Sequence, residues 1–192
     1  AGKTVICVNC SGSAIALEPE TKNCDAIGQA WYAGQEGGTA VADVLFGDYN
    51  PSGKLPVTFY KSTNQLPNFE DYSMKGRTYR YFSDPLFAFG YGESYTKFNI
   101  GKAELEHQGD SILMKIPVEN VGAKDGTEIL QVYIHDMQDE NGPIKSLRGF
   151  CRVNLKAGQK QVAKIYLNKK SFEFFDETTN TMRTRNGSFE IM

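Results

Sequence analysis

Alternating apolar and polar residues in the second half of the chain constrain its fold more than any other feature. In the segment TEILQVYIHD the two alternating sets are Leu130, Val132 and Ile134, and Ile129, Gln131 and Tyr133. Similar short segments surround it: ILMKIPVENVG, LRGFCRVNLKAG, KQVAKIYLN and a closing hairpin, SFEFFDETTNTMRTRNGSFEIM. Short alternating strands separated by turns such as GAKDG and KAGQ are typical of an antiparallel β-sandwich. We predict such a sandwich over residues 99–192.

The start of the chain has a different pattern, that of a parallel α/β layer. Residues 3–9, with Val5, Ile6 and Val8 as apolar members, and residues 26–32 are apolar enough to form buried strands. The loop SGSAIALEPETKNC between them leaves little room for a full helix. We therefore expect two neighbouring parallel strands here.

One helix and one further strand should follow this pair. Apolar residues at helical spacing predict a helix over residues 36–46, which Gly47 would end. After the turn DYNPSG, residues 54–60 (KLPVTFY) predict a strand, and Pro56 favours a sheet edge. Residues 1–60 are thus a partial α/β element, too small to stand alone.

The segment between these regions, residues 61–98, lacks a clear period and is rich in aromatics. They are Phe69, Tyr72, Tyr79, Tyr81, Phe82, Phe87, Phe89, Tyr91, Tyr95 and Phe98. Because solvated linkers are polar, a segment of this composition should pack against a surface. We expect Arg77 and Arg80 to stack on rings or to pair with carboxylates.

Composition excludes several classes of function. The net charge is −2 over 192 residues, so there is no basic field to recruit nucleic acid or an anionic membrane. No apolar run approaches the roughly 20 residues that a transmembrane helix needs. The opening residues AGKTVICVNC lack the features of a signal peptide. Because they begin directly on a strand without Met, we expect a piece of a longer protein.

The cysteines and histidines do not predict a metal or cofactor site. Cys7 and Cys10 form one C-x-x-C pair, but Cys24 and Cys151 are single and far apart, so a zinc site lacks its second pair. A redox motif should open a helix, whereas a Ser- and Gly-containing loop follows here. We expect buried or half-buried structural thiols. His107 and His135 also lack partners at metal-ligand spacing.

The glycine-rich segment GQEGGTAVAD resembles a phosphate-binding loop only superficially. Gly34, Gly37 and Gly38 match neither the dinucleotide fingerprint nor the P-loop. Small residues there would instead let the helix begin tightly against its strand. Glu36 and Asp43 have no second carboxylate beside them, so we expect both to be solvated. No nucleophile elbow or Ser-His-Asp arrangement is recognisable.

Three segments together resemble glycoside hydrolase family 3. AWYAGQEGGTAVADVLFGDYNPSGKLPVTF is similar to the end of the family's α/β-sandwich domain, and GRTYRYF with PLFAFGYGESYTKF resembles its linker. VENVGAKDGTEILQVYIHDMQDENGPIKSLRGFCRVNLKAGQKQVAKIYL resembles its fibronectin type III-like domain. The resemblance implies three parts: 1–60, the end of the α/β sandwich; 61–98, a wrapping linker; and 99–192, a fibronectin type III-like sandwich.

The resemblance also implies an activity. Such enzymes are exo-acting, retaining β-glycosidases that use two carboxylates roughly 5 Å apart. The family's nucleophile lies on an N-terminal barrel, and its acid/base lies on the α/β sandwich, ahead of the segment present here. We therefore assign no catalytic, cofactor-binding or metal residue to this chain, and its substrate-binding residues are unknown. The chain would supply scaffold and domain packing, and it would be inactive alone.

The resemblance further implies partners and a location. The partners would be the N-terminal barrel, the rest of the α/β sandwich and, through the parent enzyme, an oligosaccharide ending in β-linked xylose or glucose. GRTYRYF favours the β-xylosidase branch. A homodimer stays open, and the parent would be periplasmic or secreted. Three departures from the family are Glu93, where an apolar residue is common, the early end at GSFEIM, and the absence of most of the sandwich domain upstream.

Two non-catalytic alternatives remain open: a stand-alone carbohydrate-binding sandwich and a purely structural domain. A binding sandwich should expose aromatic side chains, and the candidates here are Tyr133, Phe150, Tyr166 and Phe172 to Phe175. Most of them fit a core period. The aromatics of residues 61–98 could form a binding rim, although packing is the commoner role of so many rings.

Overall fold

The computed structural model describes residues 2–192, and the chain divides into two compact units. The first unit runs up to Tyr49 and continues over Lys54–Gly92. The second unit consists of Asn50–Gly53 and Glu93–Met192. The chain therefore enters the second unit briefly, returns to the first and then completes the second.

The first unit begins with two parallel strands, β1 (Ile6–Asn9) and β2 (Ala26–Gln29). Helix α1 (Glu18–Asn23) connects them, so the intervening stretch does hold one short helix. Both strands are shorter than predicted, and neither contains a fully buried residue. The prediction of buried strands is wrong for this chain because two strands and one longer helix leave part of the layer uncovered.

Helix α2 (Gly37–Phe46) confirms the predicted helix to within one residue. Gly47 ends it as expected, with a left-handed φ of 85° and its N–H bonded to the Val44 carbonyl. This is the conformation in which glycine avoids the penalty of a side chain.

The predicted strand over residues 54–60 is absent. Phe59 forms only an isolated antiparallel bridge with Phe87, and Leu55 exchanges backbone hydrogen bonds with Gly90 and Tyr91. Because Pro56 has no N–H, it interrupts the ladder that these two contacts would otherwise extend.

Little regular structure follows this segment in the first unit. A 3₁₀ helix spans Thr63–Gln65 and the single-turn helix α3 spans Thr78–Tyr81. The irregular character predicted for the aromatic segment therefore agrees with the structure.

The second unit is an antiparallel β-sandwich, as predicted. Its strands are β3 (Phe98–Ile100), β4 (Glu104–Gln108), β5 (Ser111–Asn120), β6 (Gly126–Asp136), β7 (Ser146–Leu155), β8 (Lys160–Leu167), β9 (Glu173–Asp176), β10 (Thr181–Thr184) and β11 (Phe189–Ile191). In one sheet β5 pairs with β8 on one side and with β3 and β4 on the other. The second sheet has the order β11-β6-β7. The closing hairpin is β9 with β10, preceded by a 3₁₀ helix over Lys169–Phe172.

The sandwich core lies between these two sheets. Its buried residues are Met114, Ile116 and Val118 of β5, Leu130, Val132 and Ile134 of β6, Val153 and Leu155 of β7, and Ala163, Ile165 and Leu167 of β8. The even-numbered face of β6 is thus the core face, as its alternation indicates. Tyr133, on the other face of β6, is also buried, and the register of β6 with β7 shifts between Val132 and Tyr133. Gly149 of β7 pairs with Val132, and a Cβ at this position would lie 2.7 Å from the Ile165 side chain.

The aromatics of the sandwich depart from the prediction that most of them belong to the core. Phe150 is 69% exposed, Tyr166 59% and Phe175 53%. Alternation separates two faces of a strand without saying which face is covered. These three rings lie on β7, β8 and β9, so each is a single exposed side chain of an ordinary kind.

Two residues of the turn DYNPSG form hydrogen bonds with the second unit. The Asn50 side chain donates to the Asp125 carbonyl at 2.9 Å and accepts from the Tyr95 N–H at 2.8 Å. Ser52 is buried and its hydroxyl accepts from Arg152 at 3.1 Å. These contacts make Asn50–Gly53 an integral part of the second unit.

No helix within residues 2–192 is long and apolar enough to cross a membrane.

Candidate functional site

The carboxyl ends of β1 and β2 carry a linked set of polar side chains. The Asn9 amide donates to Gln29 Oε1 at 2.5 Å and to the Ser11 hydroxyl at 2.9 Å. Gln29 in turn donates to the Ser11 carbonyl at 3.2 Å. In open parallel sheets this end of the strands is where ligands bind. Here the amides bond to one another and to Ser11, which fixes the loop after β1 against the end of β2.

Backbone strain lies directly beyond this network. Trp31 has a left-handed φ of 56°, a conformation unusual for a bulky residue. Its ring meets Phe59 edge to face, with centroids 6.2 Å apart. Tyr32 is 81% exposed and its ring lies over Gly12, where a Cβ would be 2.6 Å from the ring. The half-buried Trp31 ring therefore packs on Phe59, while the next ring, Tyr32, is exposed.

Most rings of the aromatic segment pack on one another within the first unit. Tyr79 stacks on Phe89 at 4.2 Å and Phe87 on Tyr91 at 5.5 Å. Phe59, which is almost fully buried, meets Phe87 edge to face. These contacts agree with the packing role that the composition favours.

Phe69 and Tyr72 are the conspicuous exceptions, since they are 89% and 90% exposed. They belong to residues 68–77, which we call the Arg77 loop. The Arg77 guanidinium donates to the carbonyls of Ser73 at 3.2 Å, Asn68 at 3.1 Å and Asp71 at 2.7 Å. The expected stacking or carboxylate pairing of Arg77 is therefore wrong: its hydrogen bonds go to backbone carbonyls. Periodicity and motifs carry no signal for such a contact.

The glycines before α2 have different roles. A Cβ on Gly37 would lie 2.4 Å from the Ala33 side chain. A Cβ on Gly34 or on Gly38 would have no atom within 4 Å. Of these three glycines, only Gly37 is required by close packing at the helix start. The residue it packs against, Ala33, lies in the loop after β2 and not in the strand. Glu36 is exposed and accepts from the Thr39 hydroxyl, while Asp43 is half-buried rather than solvated.

Two carboxylates of the second unit share one arginine. Arg185 donates to Asp136 at 3.1 Å and lies 3.9 Å from Asp139. Its guanidinium also lies over the Phe174 ring. Both carboxylates are thus engaged by the same guanidinium. The arrangement is a structural ion pair and not a glycosidase dyad.

The thiols and histidines bring no metal ligands together. Cys7, Cys24 and Cys151 are half-buried, as expected, but Cys10 is exposed, against expectation. Burial raises the pKa of the Cys24 and Cys151 thiols, which makes them poor nucleophiles. The His135 ring contacts the Pro143 carbonyl. Within residues 2–192 no three His, Cys, Asp or Glu side chains are grouped to hold a metal ion.

Two known families match the chain, one in its α/β part and one in its β-sandwich. Residues 1–95 match the glycosyl hydrolase family 3 C-terminal domain, and residues 128–192 match a fibronectin type III-like domain.

Individual relatives match along the whole chain. A xylan 1,4-beta-xylosidase from Xylanibacter ruminicola is 64% identical over all of this chain and 22% of its own length. A periplasmic beta-glucosidase from Salmonella typhimurium is 33% identical over all of this chain and 29% of its own. The chain thus spans less than a third of either relative.

Solved structures confirm the fold. The beta-D-glucoside glucohydrolase of Trichoderma reesei superposes with a TM-score of 0.88 and 30% identity, covering 98% of this chain and 31% of that protein. Sequence order, family models and backbone all lead to one assignment. The chain belongs to glycoside hydrolase family 3 and corresponds to the C-terminal part of the family's β-xylosidases and β-glucosidases.

Proposed function

We propose that this chain is the C-terminal scaffold of an exo-acting, retaining β-glycosidase that removes terminal β-linked xylose from plant-type oligosaccharides. The observation that best supports this proposal is the 64% identity, over the whole chain, to a protein named xylan 1,4-beta-xylosidase. The identity to the protein named periplasmic beta-glucosidase is about half as high, which favours xylose over glucose.

The chain's part in this activity is structural. A retaining glycosidase needs two carboxyl groups about 5–5.5 Å apart, one of them protonated. Asp136 and Asp139 share Arg185 instead. We accordingly place both catalytic carboxylates, and the N-terminal barrel that holds the nucleophile, outside this chain. The parts 1–60, 61–98 and 99–192 serve as sandwich end, linker and terminal sandwich in this proposal.

An uncovered groove supports a partner for the first unit. Between β1, β2 and α2 an apolar groove is lined by Val8, Gly28, Ala30, Val41, Val44 and Leu45. Helix α2 has no fully buried residue, so its apolar stripe lacks a complete cover in this chain. The remaining α/β-sandwich portion of the parent enzyme is the partner that this proposal places there.

Location and assembly belong to the same proposal. A periplasmic or secreted parent agrees with the similarity to the periplasmic beta-glucosidase of Salmonella typhimurium. A homodimer stays a prediction, which light scattering on the purified parent would test.

Hydrolysis by the full-length protein tests the activity. We expect it to cleave aryl β-xyloside faster than aryl β-glucoside, and NMR should show the β-anomer of xylose as the first product. An α-anomer would overturn the retaining mechanism, and a preference for glucoside would overturn the substrate.

A second candidate is a stand-alone carbohydrate-binding sandwich, favoured by the exposed Phe150, Tyr166 and Phe175. Phe150 pairs with Gln131 in one sheet, whereas Tyr166 pairs with Leu113 in the other, so the two do not form one platform. Loss of xylan binding in Phe150→Ala or Tyr166→Ala would support this candidate. Unchanged binding would exclude it.

A further inference from the structure

The Arg77 loop presents two aromatic rings to solvent from a fixed backbone. Phe69 and Tyr72 are more exposed than any other large apolar side chains of residues 2–192. A single exposed ring is common on a protein surface and requires no explanation. Two such rings three residues apart, on a loop with dedicated internal bonds, require one.

The loop is held by its own side chains. One guanidinium, that of Arg77, bonds three backbone carbonyls of the loop. Asp71 Oδ1 accepts from the Ser73 N–H at 2.8 Å, and Asn68 Oδ1 accepts from the Glu70 N–H at 3.3 Å. Because these bonds order the backbone in advance, a ligand that meets the rings does not have to order the loop itself.

The end of the loop carries strain. Gly76 has a φ of 70°, and Thr78 has a φ of 55°. A left-handed conformation is an outlier for a β-branched residue such as Thr78. The Tyr60 hydroxyl holds it by accepting from the Thr78 N–H at 3.0 Å. Such strained residues concentrate at ligand clamps and switches.

The chemistry between the rings indicates the ligand. Glu70 and Asp71 lie between Phe69 and Tyr72, and both are exposed. Hydrogen bonds from Ser73 lower the pKa of Asp71, so it is a charged acceptor at neutral pH. A sugar offers an apolar C–H face to a ring and hydroxyl donors to carboxylates. An apolar protein surface would desolvate both carboxylates without supplying donors.

We propose that the Arg77 loop is an oligosaccharide-binding platform, in which Phe69 and Tyr72 stack on β-linked xylose residues while Glu70 and Asp71 accept hydrogen bonds from their hydroxyls. Arg77 is a positioning residue that keeps the two rings in place. The choice of xylose rests on the proposed function, whereas the platform itself rests on the geometry of the loop.

An NMR titration of the 192-residue chain with xylotetraose tests this. We expect saturable shifts with a dissociation constant on the order of 1 mM, as fits two stacking rings without an enclosed pocket. The double variant Phe69→Ala/Tyr72→Ala should weaken binding at least tenfold. Phe46→Ala, which removes an 84% exposed ring at the end of α2, is the matched control and should bind as the original chain does.

Arg77→Lys supplies an independent readout. A lysine cannot bond three carbonyls in the fixed geometry of a guanidinium fork. We expect the xylotetraose-induced shifts of the Phe69 and Tyr72 ring signals to shrink although both rings are present. Undiminished ring shifts in this variant would overturn the positioning role of Arg77.

Two results would overturn the platform: no saturable binding by the original chain, or equal binding by the double variant. These outcomes are separate from the proposed activity, since binding requires no hydrolysis. If the full-length protein hydrolyses xylosides but this chain binds no xylotetraose, the platform fails alone. If the chain binds and the full-length protein hydrolyses nothing, the glycosidase proposal fails and the platform stands.

Discussion

The Asn120 side chain donates a hydrogen bond to the Leu155 carbonyl, 3.1 Å away, and so joins the end of β5 in one sheet to the end of β7 in the other. Its amide also donates to the Lys124 carbonyl, and its oxygen accepts from Gly122 and Thr96. Asn120 is completely buried. One side chain therefore fixes the turn before β6 and closes the sandwich.

Removing this side chain should be costly. We expect Asn120→Ala to lower the free energy of unfolding of the second unit by about 2–4 kcal/mol, because it leaves several buried polar groups unpaired. Hydrogen exchange of the β5 and β8 amides would measure it. The only tryptophan, Trp31, belongs to the first unit and would not report this change.

The matched control is Asn154→Ala. Asn154 accepts from the Thr127 hydroxyl at an exposed position, so the change should stay within about 0.5 kcal/mol. Equal effects of the two variants would contradict the role given to Asn120.

Adjacent glycines at the start of α2 should respond in opposite directions to alanine. Gly37→Ala should destabilise the first unit by about 1–3 kcal/mol, because its Cβ would overlap the Ala33 side chain. Gly38→Ala meets no atom and should stabilise it by about 0.5 kcal/mol through a less flexible unfolded chain. Urea unfolding followed by Trp31 fluorescence compares the two, and the same sign for both would refute the steric account.

The helix α2 and the strands β5 to β8 could be predicted because their apolar spacing is regular and their turns are clear. The strand predicted over residues 54–60 is absent. Whether it forms depends on Pro56 and on a partner segment distant in sequence, and local apolar spacing does not report on that partner. The exposure of Phe150 and Tyr166 was missed because both faces of their strands carry apolar residues. Arg77 and Asn120 act on backbone carbonyls, which no residue pattern encodes.

The cross-strand pair Glu106 and Lys115 should make stability depend on pH at both extremes. The Lys115 ammonium, as hydrogen-bond donor, lowers the pKa of Glu106, and Glu106 raises the pKa of Lys115. The contribution of Glu106 is therefore present above its unfolded pKa of about 4.3 and is lost as pH falls through the lower folded pKa. The contribution of Lys115 is present below its unfolded pKa of about 10.4 and is lost as pH rises through the higher folded pKa.

Lys115→Met should flatten both limbs of the profile. Urea midpoints measured from acid to alkaline pH would show this, and Lys169→Met, which removes an exposed lysine of the 3₁₀ helix, is the control. The effect should shrink at high salt because both side chains are partly exposed. Unchanged limbs in Lys115→Met would show that other groups govern the pH dependence.

The four cysteines should differ in reactivity. Cys10 is exposed, whereas burial raises the pKa of Cys24 and Cys151 and reduces their thiolate fraction. Brief alkylation at pH 7.5 with peptide mapping should modify Cys10 first, and Cys10→Ser should remove the fast phase. Earlier modification of Cys151 would mean that β7 opens more readily than its packing indicates.

The central claim, that this chain is scaffold without catalytic groups in a β-xylosidase, is tested most directly by parallel assays on aryl β-xyloside and aryl β-glucoside. The 192-residue chain and the full-length protein would be compared at equal molar concentration. We predict no hydrolysis by the chain alone and xyloside-preferring hydrolysis by the full-length protein. Hydrolysis by the isolated chain, or none by the full-length protein, would contradict the account.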